Sequence, residues 1–158
     1  MNRRRLALVV SLLVVGFALV AVAATPGVLI AGYDATTVEA VDGETGASLA
    51  TVDARIADTT LKRYVGLSST DELADDEGML FVHDEPDEYA YVMRNMAFPI
   101  DILFVAPDGT VTEIHEAEPE SRPLTEYRGT GQYVLEVPLG WSDRNGIELG
   151  DRLVFELR

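Results

Sequence analysis

Behind three arginines, Arg3, Arg4 and Arg5, the chain runs for 19 residues without a charge, from Leu6 to Ala24, and no acidic residue occurs before Asp34. All 27 Asp and Glu residues follow this stretch. A segment so apolar does not belong on the surface of an acidic domain. The chain therefore divides into a leader, residues 1–32, and one folding unit, residues 33–158. A helix needs roughly 20 apolar residues to cross a bilayer, and a cleaved signal usually has an apolar core of about 7–15. The leader thus predicts an N-terminal apolar helix retained as a single-pass anchor, although Val22-Ala23-Ala24 also offers a signal peptidase small residues. Arginines stay in the cytoplasm, which places the N-terminus inside and the acidic body outside the cell membrane. Asn2-Arg3-Arg4-Arg5-Leu6-Ala7 loosely resembles a twin-arginine export signal. A purely topological role is preferred, because the leader is more apolar than such signals usually are.

Charge narrows what the body meets. Setting aside the leader's three arginines leaves 9 basic residues against 27 acidic ones, a formal charge of −18 for residues 33–158. Nucleic acid is excluded as a partner, since phosphate binding requires a basic face. Lys62 is the only lysine. Acid excess with lysine nearly absent predicts a surface adapted to concentrated salt, in a halophilic, archaeal type of source. There is no cysteine, so neither disulfides nor a lipidated cysteine holds the molecule together.

Apolar alternation and turn residues predict short strands over 36–41, 49–57, 78–82, 88–94, 100–105, 111–116, 132–137 and 152–157. Two short helical segments are expected, one capped by Asp58 or Thr59 and ending near Gly66, the other over 139–145 closing at Gly146. Residues 71–77 and 119–130 read as loops. Ile100 to Val105 is apolar on both faces and so reads as a central strand. The fold class is mainly β (α+β): a compact β-barrel or sandwich of short, mostly antiparallel strands with two short helices.

Several blocks occur together in a distinctive order. They are Ile56-Ala57-Asp58-Thr59 with Gly66-Leu67, and Asp76-Glu77-Gly78-Met79-Leu80-Phe81-Val82. Next come Met93-Arg94-Asn95-Met96-Ala97-Phe98-Pro99-Ile100-Asp101-Ile102-Leu103-Phe104, and Gly109 with Val111. Last are Tyr133-Val134-Leu135-Glu136-Val137-Pro138, Gly140-Trp141 and Gly146-Ile147-Glu148-Leu149-Gly150-Asp151. From about Thr51 to Leu157 the chain resembles the DUF192 (UPF0127) family, a domain of unknown function. The resemblance implies a small β-rich, barrel-like domain, often exported or membrane-anchored, with no established activity, cofactor or substrate. Where the family commonly has Trp-Met-Lys-Asn-Thr, this chain has Val92-Met93-Arg94-Asn95-Met96.

The candidate ligand-binding residues are Arg94, Asn95, Asp101 and Trp141. Asp101 shares a strand face with Leu103 and Val105, and a buried carboxylate requires a partner; Arg94 offers one, with Asn95 as a bridge. These groups either orient a small ligand or form a structural ion pair that fixes the turn around Pro99, and the ion pair is favoured. Trp141, the only tryptophan, is either a platform for a sugar or a plug for the barrel end, and the plug is favoured. His83, Asp84, Glu85, Asp87 and Glu88, or Glu113, His115 and Glu116, carry oxygen and imidazole groups suited to a cation. Their spacing matches no dedicated site, so no metal and no cofactor is expected.

No nucleophile motif or phosphate-cradling loop is present, so no catalytic residue is assigned. The leading expectation is a non-enzymatic, membrane-tethered binding module for a small ligand or an envelope protein. The alternative is a hydrolase acting on envelope glycans through paired carboxylates among Glu113, Glu116, Glu118 and Glu136.

Overall fold

A computed structural model describes residues 32–157. The leader helix, its orientation and its cleavage lie outside the described residues, among which no helix is long and apolar enough to cross a membrane. The body is mostly β: β1 (Ala35–Val41), β2 (Ser48–Ala57), α1 (Thr60–Val65), β3 (Glu77–Tyr91), β4 (Ile100–Val105), β5 (Val111–Ala117), β6 (Tyr127–Pro138), α2 (Trp141–Asn145) and β7 (Arg152–Val154). Of the two caps the sequence offered, Asp58 and Thr59, it is Thr59 that caps α1, its hydroxyl accepting from the Lys62 N–H at 3.2 Å.

The seven strands form one sheet in the order β5-β4-β6-β3-β2-β1-β7. Every pairing is antiparallel except β2 with β3, which run parallel because α1 carries the chain back to the same end of the sheet. The two edges then approach each other. The Val111 N–H donates to the Asp151 carbonyl and the Leu153 N–H to the Gly109 carbonyl, both at 2.8 Å. These bonds curl the sheet into a half-barrel. Gly109 is required there: its φ is +90°, and a Cβ would stand 2.6 Å from the Leu153 carbonyl oxygen.

Strand alternation gives the sheet two apolar faces. The enclosed face packs Val38, Val52, Leu80, Leu103, Leu135 and Leu153 around Trp141. The opposite face carries Met79, Phe81, Ile102, Phe104 and Val134, joined by Leu67 and Met93 from the connections. β4 contributes to both cores, and all six of its residues are buried. That is why it reads as apolar on both sides.

Two of the expected strands are one. β3 continues from Glu77 to Tyr91, but its register with β6 shifts between Val82, opposite Tyr133, and Asp87, opposite Gly131. His83-Asp84-Glu85-Pro86 therefore bulges out against the single residue Gln132, and the acidic, proline-containing bulge breaks the alternation. The stretch after the bulge folds over the second face, where the rings of Tyr91 and Phe104 meet edge to face at 5.7 Å. β6 likewise begins five residues earlier than expected, because Tyr127–Gly131 pairs with Asp87–Tyr91. Val92 to Arg94 lie beyond the end of β3, and the last strand is confined to Arg152–Val154.

Gly129 lies against Phe104, so a Cβ there would come within 2.4 Å of the ring. Gly129→Ala should lower unfolding free energy by about 1–3 kcal/mol in urea melts, as overpacking of a closed core does. Loss below about 0.5 kcal/mol would contradict this packing.

Candidate functional site

The expected pair of Arg94 with Asp101 does not form. Asp101 is 1% exposed, yet its carboxylate accepts from the backbone N–H groups of Gly140 at 2.9 Å and Ser142 at 2.8 Å. It therefore tethers the turn that opens α2 to β4. Sequence reasoning looked for a side-chain partner for a group that two backbone donors satisfy. Arg94 lies elsewhere. Its guanidinium stacks on the Tyr64 ring, 4.0 Å from the centroid, and donates to the Tyr64 carbonyl. Asn95 bridges nothing: it is exposed, in a left-handed turn with φ 57°. Trp141 is 3% exposed within the enclosed core, the plug arrangement.

Arg94 instead helps to line a cleft of about 440 Å3 over the second face. That volume lies within the range of about 300–1,000 Å3 usual for small-ligand sites. One wall is α1 with the turn after it, through Arg63, Tyr64, Gly66 and Leu67. The other is β3 and its continuation, through Phe81, His83, Tyr89, Tyr91, Val92 and Met96. Glu136 closes the floor. In β6 it stands opposite Met79 on one side and Ile102 on the other, both buried.

The bulge shapes the polar side of this cleft. A straight strand would separate His83 from Tyr89 by about 20 Å, at about 3.3 Å per residue. The bulge instead stacks their rings at 3.6 Å. It is locked by the Tyr89 hydroxyl donating to the Glu85 carbonyl at 2.7 Å and by Gln132 donating to the His83 carbonyl at 3.3 Å. His83 Nε2 then lies 2.9 Å from the Tyr91 hydroxyl. Arg63 crosses the rim, with one nitrogen donating to the carbonyls of Asp58 and Val82.

Glu136 is unlike the other buried acids. Asp101 accepts two backbone N–H bonds, and so does Asp151, from Gly43 at 2.9 Å and Glu148 at 2.8 Å. Glu136, 6% exposed, receives no hydrogen bond from any described residue, and burial alone pushes its carboxyl up to about 8. It is therefore protonated at neutral pH. Burial, with help from the Arg63 charge, pushes His83 down to about 4, so its ring is neutral. Burial and the proximity of Glu136 push the Tyr91 hydroxyl upward. The cleft thus offers a neutral acid, a neutral imidazole and a phenol over apolar walls, a set able to donate and accept protons without a net charge of its own.

Sequence reasoning named Glu136 only as one of many acids and His83 only within an acidic cluster. The available signal was local: Glu136 is the single acid in the apolar run Tyr133 to Pro138. Glu113, Glu116 and Glu118 are exposed, and none lines the cleft. His115 bonds the Arg128 carbonyl at 2.7 Å. Among the described residues no three His, Asp or Glu side chains converge as metal ligands.

The fold is a single seven-stranded sheet curled into a half-barrel, and comparison places it in a family. The chain belongs to the DUF192 family, described as "Uncharacterized ACR, COG1430", whose model matches residues 41–155. A protein from Sinorhizobium meliloti 1021, described as a candidate transcription regulator, has a similar crystal structure, with TM-score 0.72 and 32% identity over 80% of this chain and 97% of that one. A protein of unknown function from Novosphingobium aromaticivorans DSM 12444 is similar at TM-score 0.70 and 31% identity, over 80% of this chain and 89% of that one. No curated protein matches. Among the blocks that carry the family resemblance, Gly66, Leu67, Phe81, Arg94, Met96 and Glu136 all line the cleft.

Two outcomes follow. With its carboxyl near 4.5 when unfolded and about 8 when folded, Glu136 contributes stability that is complete below about pH 4.5 and lost as pH rises through 8. Glu136→Gln should flatten this decline by ~4 kcal/mol in urea melts from pH 5 to 9, at 1.36 kcal/mol per pH unit; an unchanged slope would contradict it. Asp101→Ala should cost about 2–4 kcal/mol by stranding two backbone donors. Combined with Arg94→Ala, the losses should add within about 0.5 kcal/mol, whereas coupling beyond that would restore the ion pair.

Proposed function

We propose that this protein is a membrane-tethered, extracytoplasmic binding module that takes a small ligand into the cleft over Glu136. One observation carries the binding reading: the floor of the cleft is a buried carboxyl with no partner of its own. Among the described residues, the fully sealed hydroxyls without a partner are those of Tyr33 and Ser142; Glu136 instead opens on the cleft, where a ligand that hydrogen-bonds it would replace solvent in a largely apolar site. The tether rests on the apolar length of residues 6–24 and the three arginines before it. The glycan-hydrolase alternative needs two acids across a reacting bond, and Glu136 is the only acid lining this cleft. The regulatory role named for the Sinorhizobium protein is not carried over, because a body with 9 basic and 27 acidic residues repels nucleic acid.

The test is a fragment screen by thermal shift on the full chain, with Val92→Trp as a variant that narrows the cleft mouth from its exposed rim. A fragment at 100 times its Kd adds about 2.7 kcal/mol, a shift of several degrees. Fragments that move the wild type but not Val92→Trp are expected. A screen in which every active fragment moves both equally would contradict the cleft as the binding site. For the tether, protease added to intact cells should remove the body and leave the leader with the membrane; a protected body would contradict the orientation.

A further inference from the structure

The cleft differs in charge from the body around it. In a chain with 27 acidic and 12 basic residues, its lining holds two guanidinium groups, Arg63 and Arg94, and one acid, Glu136, which is protonated. Among the described residues Arg94 makes no ion pair; its contacts are the Tyr64 carbonyl and ring. Arg63 has one carboxylate in reach, Asp84 at 3.9 Å and 89% exposed to solvent, while its other terminal nitrogen is held by the Asp58 and Val82 carbonyls. By contrast, Arg128 on the open surface holds Glu88 at 3.1 Å and also contacts Glu126. Among the described residues Arg55, Arg122 and Arg152 make no ion pair either, so what sets the cleft apart is its lining, which holds two guanidinium groups and no ionised acid.

Resting on the small-ligand reading above, we infer that the cleft binds a small organic monocarboxylate with an apolar or aromatic body, its carboxylate drawn by Arg94 and Arg63 and accepting a hydrogen bond from the Glu136 carboxyl. The apolar body has Leu67, Phe81 and Met96 to lie against. A carboxylate suits both donors: it accepts from a guanidinium fork, and an O–H to carboxylate bond is among the shorter and stronger hydrogen bonds. An ammonium ligand would have to ionise Glu136 and approach two guanidinium groups. A neutral ligand would leave both arginines without an anion.

The charged and titratable groups around Glu136 agree with this choice. α1 presents Arg63 and Tyr64, the segment after β3 presents Arg94, and β3 presents His83, Tyr89 and Tyr91. β4 presents apolar Ile102. At neutral pH the two arginines make the cleft positive, and ionisation of Glu136 would halve that charge without cancelling it. Ionisation would then both remove the donor and add a repelling charge.

The full chain would be titrated at constant ionic strength with benzoate, its neutral isostere benzamide and the cation benzylamine, following backbone amide shifts of cleft residues by NMR. Benzoate is expected to bind best at pH 7 and about tenfold more weakly at pH 9, since Glu136 loses its proton near 8. Arg94→Gln should weaken benzoate at least tenfold, with Arg94→Lys restoring part of the loss, and Glu136→Gln should remove the pH step. Benzamide or benzylamine binding the cleft as tightly as benzoate would overturn the anion inference while leaving the small-ligand reading intact. Benzoate binding that ignores Arg94→Gln in a folded variant would overturn it too. Silence from all three probes overturns the inference, and the underlying reading falls with it if the wider fragment screen is also silent.

Discussion

The ladder between β3 and β6 is the constraint on which the rest of the body depends. These are the two longest strands, 15 and 12 residues, and each has a second partner, β2 on one side and β4 on the other. Their first half divides the body into its two cores: Leu80 and Leu135 point into the enclosed face, while Met79, Phe81, Val134 and Glu136 point to the other. Their second half, displaced by the bulge, covers that other face with Tyr89, Tyr91 and Tyr127. Without the bulge those tyrosines would continue straight past the domain, and the second face would remain an open apolar surface. The cleft is the part of that face that α1 and the folded-over strands leave uncovered.

Glu136 shows what the arrangement is able to do. The same strand position filled by an apolar residue would pack against Met79 and Ile102 without the cost of a buried, unpartnered acid. The chain satisfies buried carboxylates where their role is structural: Asp101 ties β4 to the turn before α2, and Asp151 ties the β1–β2 turn to the residues before β7, each through two backbone donors. Glu136 alone is left without such donors, and it is the one that faces a cleft. Perturbed acids of this kind gather at functional sites. The bulge adds the other polar groups, because it returns His83 to the neighbourhood of Tyr89 and Tyr91.

Much of the fold was legible wherever local signals agreed. The cap at the start of α1 and the buried strand Ile100–Val105 both follow from residues a few positions apart. The parallel pairing of β2 with β3 and the closure of β7 onto the start of β5 were not legible, since both depend on contacts distant in sequence. The split reading of β3 had a physical cause: an acidic bulge with Pro86 looks like a loop although the strands on either side pair with one partner. At the site, Arg94 was singled out for a bond to Asp101 that backbone N–H groups pre-empt, and it lines the cleft instead. Glu136 was hard to isolate among 27 acids. Its position opposite two fully buried apolar neighbours appears only once the register is known.

The central claim is that a protonated carboxyl lies beneath the cleft, and carbon-detected NMR of the glutamate side-chain carboxyls reads this directly. The account predicts one glutamate with a titration midpoint near pH 8, assigned by its disappearance in Glu136→Gln. If every glutamate instead titrates in the ordinary range, around 4.3, Glu136 is ionised and solvated at neutral pH, and the cleft loses the feature that marks it as a site.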